Sequence, residues 1–409
     1  MSTKHKIIFI LLVIAIAGLA YDEKINGRRI ISVTGTAHDF AVATSTTAAE
    51  AAEPATAPAT VTARIKRNET IGVILPLTGV QAAYGQGVKE GLDLAAQGVN
   101  DTAKFSIRLN LVYEDTKSDV KNAPAAAKKL IDADHAAALI TVLSPTSLAV
   151  APVAESSKTV LLTMASIASK LNSAGAFVFK NDDTAAKMGA GLADAAHART
   201  PSSTAILYGS YNDAIVETEA AFAKRFAELG GAVTGEESFT QETTDFRTMI
   251  QKLLAKKPGS LTVLGLQRDC AIAIKQVRDS GFAGPIFGYT CIDDPEVVAA
   301  AGSAAEGAIF VSFNGQPSEK FSALVKAKYG HEPLRWTAEA FDGMKLLAIA
   351  LAKAYDGEHP VSSENLRSVM THITSFTGEA GRVEFDKEGN ASRSLYVKTV
   401  KNGKIELVK

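Results

Sequence analysis

From about residue 70 onward, segments with the apolar pattern of a strand alternate with segments that have the apolar pattern of an amphipathic helix. The stretch IGVILPLTGVQAAYGQGVKEGLDLAAQGVN opens with a short apolar run at 71–75, which is typical of a strand buried on both faces. Pro76 and Gly79 end the run, and Gly85 and Gly87 lead into an amphipathic helix. Open α/β sheets bind small ligands where a strand opens into a loop and a helix N-terminus. This segment therefore predicts a ligand cleft.

The alternation of strand and helix patterns continues through the chain. Strands are predicted at 107–112, 138–142, 160–162, 204–208, 232–238, 261–264, 285–289 and 307–311, and helices at 120–133, 213–229, 245–255 and 269–280. This alternation indicates βαβ units and parallel sheets. Because about nine strands are too many for one compact sheet between two helical layers, we expect an α/β fold of two doubly wound lobes. Asn402-Gly403 predicts a hairpin turn between two final antiparallel strands.

The N-terminus has a different pattern. Lys4, His5 and Lys6 precede an apolar stretch at 7–20, whose length suits the apolar region of an export signal better than a membrane span. We expect residues 1–20 to be a signal peptide, cleaved after Ala20, or a retained signal anchor that tethers the protein through residues 7–20. Residues 21–69 are predicted to be a polar linker, because the Ala/Thr/Pro-rich part at 41–62 cannot bury enough apolar surface to offset its ordering entropy.

Composition and motifs exclude several classes of function. The chain has 409 residues, 46% of them apolar and 21% charged, with a net charge of -1; this is ordinary for a globular protein and argues against a nucleic-acid partner. The sequence has no GxSxG, HExxH or Walker-type loop, and its seven histidines are scattered. Its two cysteines and its histidines lack metal-ligand spacing. We therefore expect no catalysis, no cofactor and no metal.

The glycines of Gly85-x-Gly87-x-x-x-Gly91 resemble the glycine-rich turn of a dinucleotide-binding site. Glu114 and Asp115, at the next predicted strand, stand near where the acid that binds the ribose would lie. A phosphate-binding turn starts where the strand ends. Here the glycines begin about ten residues later, and the third glycine is one position late. The pattern therefore favours a tight entry from the loop into the helix.

Several segments carry a resemblance to a known family. GVILPLTG, with AAYGQGVKEGLDLAAQGVN, resembles the first strand, loop and helix of bacterial solute-binding proteins of the branched-chain amino acid (leucine-binding-like) ABC transporter family. LVYEDTKSD, ITVLSPTSLAVAPVAE, VLLTMAS, GSAAEGAIFV and RWTAEAFDGMKLLAIAL resemble later segments in the family's order. The resemblance covers about 70–409. It implies the type I periplasmic binding fold, with a hinge crossed three times, lobe one at 70–183 plus 316–386, and lobe two at 184–315 plus 387–409.

The resemblance also implies a ligand site between the lobes. On lobe one, Tyr84 matches an aromatic residue that the family presents to the cleft, and Ala165 and Ser166 match a polar pocket wall. Ser144 and Thr146 follow the third strand and precede a helix. Their hydroxyls and the helix N-terminal N–H groups suit a ligand carboxylate. N-capping of the helix is the alternative, and both roles can hold together.

Lobe two departs from the family's pattern. Asp213, with Tyr211 beside it, and Gln267 stand near positions where amino-acid binders have aromatic residues, and Thr290 stands where they have a carboxylate. An amino-acid ligand needs a counter-charge for its ammonium, since a buried unpaired ion costs several kcal/mol. We expect Asp213 or Asp293 to supply it, unless the ligand has no ammonium. Asp213 would also suit the N-cap of the following helix.

Cys270 and Cys291 are the only cysteines, and each lies at or just past the end of one of two consecutive predicted strands. They form either a disulfide, which an oxidising compartment permits, or two buried free thiols.

The resemblance implies an extracytoplasmic protein, in the periplasm or on the outer face of the cytoplasmic membrane. It would deliver a small polar ligand (an amino acid, an amide or a small carboxylate) to the permease subunits of an ABC importer, and would bind that ligand by hinge closure. The alternative is a membrane-tethered receptor module of the same fold that senses a ligand.

Overall fold

The structure, a computed structural model, describes the backbone of residues 21–25 and 28–34, and residues 66–200 and 202–408 in full. The predicted signal at 1–20 lies outside the described residues. Two strands, β1 (Tyr21–Ile25) and β2 (Arg28–Thr34), pair antiparallel within the predicted linker. The strand β2 fits its sequence, since RRIISVT is rich in β-branched residues, which favour strands.

Lobe one contains a five-stranded parallel sheet in the order β4-β3-β5-β6-β7. Its elements are β3 (Arg67–Leu75), α1 (Ala82–Asp101), β4 (Ile107–Asp115), α2 (Ala123–Asp132), β5 (Ala138–Val142), α3 (Ser144–Ser156), β6 (Val160–Met164) and β7 (Val178–Lys180). Every residue of β5 and β6 is buried, as expected for strands covered on both faces. Because β4 and β5 flank β3 on opposite sides, a crevice opens at the carboxyl ends of these strands.

Lobe two repeats this arrangement, with parallel strands in the order β9-β8-β10-β11-β12. Its elements are α4 (Ala185–His197), β8 (Ser203–Gly209), α5 (Asp213–Glu228), β9 (Ala232–Phe239), α6 (Arg247–Leu254), β10 (Leu261–Leu264), α7 (Gln267–Asp279), β11 (Ile286–Gly288), α8 (Pro295–Ala301) and β12 (Ile309–Ser312). Since β9 and β10 flank β8, lobe two has a second crevice of the same kind.

The C-terminal part of the chain returns to lobe one, then to the hinge, then to lobe two. Its elements are α9 (Glu319–Tyr329), α10 (Thr337–Ala354), α11 (Ser363–His372), β13 (Ile373–Gly378), β14 (Gly381–Phe385), β15 (Ala391–Arg393), β16 (Tyr396–Lys401) and β17 (Lys404–Leu407). β16 and β17 extend the lobe-two sheet antiparallel beside β12, and the third sheet has the order β1-β2-β13-β14-β15. The chain thus passes between the lobes three times, after β7, β12 and β15.

Close backbone contacts bring α10 to the end of lobe one that faces lobe two. A Cβ atom at Gly91 of α1 would lie 2.1 Å from the Thr337 carbonyl oxygen at the start of α10, and one at Gly85 would lie 2.2 Å from the Pro76 carbonyl oxygen. Only glycine fits such approaches. Gly85 therefore permits the close approach of the loop to α1, in keeping with the predicted tight entry, whereas Gly91 permits the packing of α1 against the start of α10.

Candidate ligand-binding cleft

The predicted site residues follow the carboxyl ends of three strands in each lobe. In chain order they are Tyr84 after β3, Ser144 and Thr146 after β5, Ala165 and Ser166 after β6, Tyr211 and Asp213 after β8, Gln267 after β10, and Thr290 after β11. Residues of both lobes, among them Tyr84, Tyr211 and Gln267, line one small cavity of about 50 Å³. The structure therefore brings these three side chains together across the lobes.

The lobe-one hydroxyls are largely engaged within their own lobe. Ser144 Oγ accepts a hydrogen bond from the Ala168 N–H (3.1 Å). Ser166 Oγ lies 2.8 Å from Ser147 Oγ and donates to the Met164 carbonyl. Thr146 is buried in the first turn of α3. These groups lie in the wall of lobe one at the strand ends, and Ser144 and Ser166 already make hydrogen bonds within that lobe.

A carboxylate that the sequence did not point to occupies this wall. Glu339, in the first turn of α10, is fully buried, and its Oε1 accepts the Ala165 N–H at 2.9 Å. Ala165 has a φ of 48°, a left-handed conformation that is uncommon outside glycine. In the sequence, Glu339 was visible only as one of several charged residues in a largely apolar helix pattern, together with Asp342, Lys345 and Lys353.

An arginine links the two lobes directly. Arg335, just before α10, is 6% exposed; its Nε donates to Thr290 Oγ1 at 2.8 Å, and its Nη2 donates to Thr290 and, at 3.3 Å, to Ser312 Oγ. Its guanidinium carbon lies 3.8 Å from the centre of the Trp336 ring, which is a cation–π contact. Thr290 thus lies at the contact between the lobes, held by a partner that sequence reasoning missed.

Tyr84 and Trp336 form an aromatic pair between two cavities. Their ring centroids are 5.9 Å apart. Tyr84 lines the small cavity, whereas Trp336 and Arg335 line a second cavity of about 130 Å³. Burial raises the pKa of Tyr84, so the phenol is a neutral hydrogen-bonding group at physiological pH. Aromatic side chains with polar tips are typical of small-molecule sites.

Lobe two presents a chain of polar groups to the cleft. The Tyr211 hydroxyl donates to the Asp269 carboxylate, which also accepts the Leu266 N–H at 3.0 Å. The Gln267 amide donates to the carboxylate of Asp294, the N-cap of α8. Burial raises the pKa of both Asp269 and Asp294. These contacts fix the orientation of the Tyr211 and Gln267 side chains.

The structure places Asp213 away from this cavity. Its side chain is 55% exposed and lies 3.6 Å from Lys170 of lobe one. The prediction that Asp213 caps α5 is wrong: Asn212 is the cap, and its side chain accepts the Ala214 N–H at 2.9 Å. The one-residue error has a physical cause, since Asn and Asp are equally good caps and stand side by side. Asp293, the other expected counter-charge, pairs with Lys398 at 2.9 Å.

Cys270 and Cys291 form a disulfide that joins α7 to the turn at Thr290–Ile292. Both residues are fully buried. Since Gln267 begins α7 and Thr290 begins the turn, the bond connects two segments that carry cleft residues.

Buried charges lie behind the Glu339 side chain. Asp182, in the crossing after β7, is 1% exposed, and the Nε of Arg393 in β15 lies 3.6 Å from its Oδ1. Burial and the neighbouring Glu339 raise the pKa of Asp182 well above its usual value. Within the described part of the chain, no group of three or more His, Cys, Asp or Glu side chains could hold a metal ion.

The family model described as periplasmic binding protein matches residues 69–404, most of the chain. The chain belongs to the periplasmic binding protein family. Among the described residues of this periplasmic binding protein, no helix has both the length and the apolar character that a bilayer crossing requires.

Curated relatives of this periplasmic binding protein span nearly the same length. Leu/Ile/Val-binding protein homolog 2 of Brucella abortus (strain 2308) is 24% identical over 346 residues, which cover 80% of this chain and 88% of that protein. The leucine-, isoleucine-, valine-, threonine-, and alanine-binding protein of Pseudomonas aeruginosa is 24% identical over 337 residues, covering 79% and 87%.

Solved structures share the fold. The leucine-binding protein LivK of Thermotoga maritima has a TM-score of 0.76 and 28% identity, covering 83% of this chain and 98% of its own. A Rhodopseudomonas palustris ABC transporter solute-binding protein in complex with benzoate has a TM-score of 0.76 and 21% identity, covering 83% and 95%. LivJ of Streptococcus pneumoniae, in complex with isoleucine, has a TM-score of 0.74 and 23% identity, covering 84% and 100%. This chain therefore has the type I periplasmic binding fold.

Proposed function

We propose that this periplasmic binding protein is the extracytoplasmic solute-binding component of an ABC importer. Its ligand is a small polar molecule (an amino acid, an amide or a small carboxylate) bound between the two lobes by hinge closure. The names of the relatives support this range, since solved members of the fold hold isoleucine or benzoate. In this role the chain binds and delivers its ligand to permease subunits and catalyses no reaction.

The direct contact between the lobes carries this proposal. Arg335 of lobe one meets Thr290 of lobe two at the carboxyl ends of both sheets. Ser169 of lobe one meets Glu217 of lobe two at 2.9 Å. Both crevices therefore close on one another, and a ligand between them would contact both lobes. Such a ligand stabilises the closed arrangement by its differential affinity for that state.

The proposed ligand residues combine the sequence prediction with the geometry. Tyr84 and Tyr211 supply aromatic surface, and Arg335 supplies a cation. The remaining contacts come from polar groups of the two walls: Ser144, Thr146, Ala165, Ser166, Gln267 and Thr290. Asp213 is left out, since it lies at the exposed rim of the lobe contact.

Export is part of the same proposal. The segment at 1–20 would direct the chain across the cytoplasmic membrane, either as a cleaved signal or as an anchor that leaves a tether through residues 7–20. The disulfide in lobe two supports an oxidising compartment.

A ligand screen tests the proposal. The chain from Tyr21 onward should show a higher melting temperature with one class of amino acid, amide or small carboxylate, because a ligand at 100 times its Kd stabilises the fold by about 2.7 kcal/mol. Small-angle scattering should then show a smaller radius of gyration with that ligand. Confirmed binding with an unchanged radius would contradict closure of two lobes over the ligand.

A further inference from the structure

The segment between α9 and α10, residues 330–336, brings lobe one into contact with lobe two. Arg335 donates to Thr290 across the lobes at 2.8 Å, and the centroids of the Trp336 and Tyr84 rings are 5.9 Å apart. Trp336 has a φ of 98°, a left-handed conformation that persists outside glycine only where the surrounding structure imposes it. The contacts that hold this segment therefore determine how the two lobes meet.

One turn of α1 holds the segment in place. The Tyr329 hydroxyl, at the end of α9, donates to the Glu90 carbonyl oxygen at 3.1 Å. A Cβ atom at Gly87 would lie 3.2 Å from the Leu334 Cβ atom, so the segment packs closely on the helix there. His331 lies between these two contacts, with its Nε2 3.3 Å from Glu90 Oε1. Because Gly87 and Glu90 are three positions apart, they share one face of α1, and His331 is held against that face.

His331 faces a hydrogen-bond acceptor at each nitrogen of its ring. Its Nδ1 lies 2.8 Å from the Glu332 carbonyl oxygen, and its Nε2 faces the Glu90 carboxylate. A neutral imidazole has only one N–H, so it can donate to one of these oxygens and must turn a lone pair toward the other. The imidazolium donates to both. The arrangement therefore favours the protonated ring.

Glu90 is a partner that water screens only slightly. Its side chain is 3% exposed. Its Oε1 also accepts a hydrogen bond from the Gln86 amide at 2.8 Å, and its Oε2 is buried without a hydrogen-bond partner. A buried carboxylate is costly unless a cation compensates it. Among the ion pairs of the described residues, that cation is His331, so the protonated ring is attached to lobe one.

Lobe two places a second acid near His331. Glu296 follows Pro295 at the start of α8, and Pro295 lines a cavity together with Pro333, two positions after His331. Both lobes line this cavity, so opening of the hinge would carry Glu296 away from the ring. Glu90 would stay, because it belongs to lobe one with the segment. The attraction between His331 and Glu296 is therefore a property of the closed state.

Other charged side chains near the segment have partners of their own. The pairs are Glu332 with Lys326, Asp93 with Lys89, and Lys328 with Gln97. The Glu332 carbonyl, Glu90 and Glu296 raise the pKa of His331 above its ordinary value of 6.5, and burial opposes them in part. The stabilisation that this proton gives is fully present below pH 6.5 and is lost as pH rises through the raised pKa.

We propose that His331 is a positioning residue for lobe closure, whose imidazolium is held by Glu90 of lobe one and attracts Glu296 of lobe two. Protonation then favours the closed state, and deprotonation favours the open state. A ligand between the lobes would bind more tightly in a more acidic medium and would be released more readily as pH rises. This inference goes beyond the proposed function, because it concerns closure itself and does not depend on which ligand binds.

Single-molecule energy transfer between a dye on each lobe tests the inference without a ligand. The native cysteines form a buried disulfide, so dyes can be attached at Lys121→Cys, after β4, and Glu242→Cys, after β9, both of them exposed positions. Molecules of the chain from Tyr21 onward are counted at high and at low transfer, which gives the ratio of closed to open molecules. Between pH 5.5 and pH 8.5 this ratio should fall about two- to fivefold, the range expected for a partly exposed ion pair.

Three variants assign the effect. His331→Gln removes the titrating ring and should lose most of the fall in the ratio. Glu296→Gln keeps the ring but removes the attraction across the lobes, so it should also lose most of the fall. His359→Gln is the matched control, since His359 is an exposed histidine that pairs with Asp356; it should behave as the wild type. Burial raises the pKa of Asp342 to about 7, so each variant is compared with the wild type at both pH values, where thermal melts establish that it is folded.

Each outcome bears on the inference. Loss of the fall in both His331→Gln and Glu296→Gln supports it. An equal fall in the wild type and in His331→Gln, or no fall in the wild type, would overturn it. Loss of the fall in His331→Gln alone would also overturn it, because His331 would then act only within lobe one. Failure of every compound in the ligand screen would count against the proposed function and leave this inference standing, since the measurement uses no ligand.

Discussion

At the residue scale, one pair of acids makes the stability of lobe two depend on pH. Glu219 of α5 is 8% exposed, and burial together with the neighbouring Glu236 of β9 raises the pKa of Glu219 to about 7. In the folded protein the two carboxyls are held close enough to share a proton. In the unfolded chain they separate, and each titrates near its ordinary pKa of about 4.3.

The direction of this pH dependence follows from the number of protons that the folded and unfolded states bind. Between about pH 4.5 and pH 7 the folded state binds more protons than the unfolded state, so the free energy of unfolding falls as pH rises through this window. Glu219→Gln should remove this decline, because the amide can donate to Glu236 at every pH. At pH 8 the variant should be about 1 kcal/mol more stable than the wild type, a value reduced by solvent screening at Glu236.

Urea unfolding of both proteins at pH 4.5, 6 and 8 measures this difference. Glu228→Gln on the same helix is the control, since Glu228 is half exposed and pairs with Lys224 and Arg225. A parallel pH dependence in the wild type and in Glu219→Gln would contradict the shared proton.

Some residues of the candidate site could be predicted from the sequence, and others could not. Tyr84, Tyr211, Gln267 and Thr290 were expected in the cleft because they stand at or near positions that the resembled family uses for its ligand, and each of them follows the end of a strand. Arg335 was not found, because its importance comes from burial against Trp336 and from reaching Thr290, 45 positions away in the chain. Local pattern carries no information about such long-range partners.

At the scale of elements, the disulfide should stabilise lobe two. It closes a loop with a sequence separation of 21 between Cys270 and Cys291, and a loop of this size corresponds to about 3 kcal/mol in the chain-entropy model. The double variant Cys270→Ala/Cys291→Ala should lose about that much unfolding free energy. It should also bind ligand less tightly, since the bond joins the segments that carry Gln267 and Thr290.

Denaturant unfolding with and without a reductant provides the control for this variant. Reductant should lower the stability of the wild type toward that of the double variant and should leave the variant unchanged. Equal stability of the two proteins under oxidising conditions would contradict a stabilising role for the bond.

The elements that were predicted correctly are those with strong patterns. β5 and β10 coincide with the apolar runs at 138–142 and 261–264, and Asn402-Gly403 forms the hairpin turn, with φ values of 52° and 68°. β7, a strand of three residues, was not predicted, although β11, which is equally short, was. β2 pairs parallel with β13, a partner more than 300 positions away, and that pairing cannot be inferred from the local pattern of residues 28–34.

At the scale of the whole molecule, closure is stabilised by contacts that lie outside the ligand residues. Glu217 of α5 accepts hydrogen bonds from the Ser169 N–H, at 2.9 Å, and from the Ser169 hydroxyl. Beside them, Lys170 lies 3.6 Å from Asp213. These groups join the lobes whether or not a ligand is present, so they set how much of the protein occupies the closed state. The apparent affinity for a ligand is proportional to the population of the closed state, so a smaller closed population weakens binding.

Glu217→Ala should therefore weaken all ligands by one common factor. Loss of two hydrogen bonds to a charged group, partly exposed to solvent, should lower the stability of the closed state by about 1–2 kcal/mol, which corresponds to a five- to thirtyfold loss of affinity when the open state dominates. Calorimetry with two ligands of different chemistry, such as an amino acid and a small carboxylate, should show the same factor for both. Scattering should show the same radius of gyration for the variant and the wild type, both without ligand, when the open state dominates, and at saturation. Glu228→Ala, on the same helix but away from these contacts, should behave as the wild type; a change of selectivity in Glu217→Ala would place Glu217 in the ligand site instead.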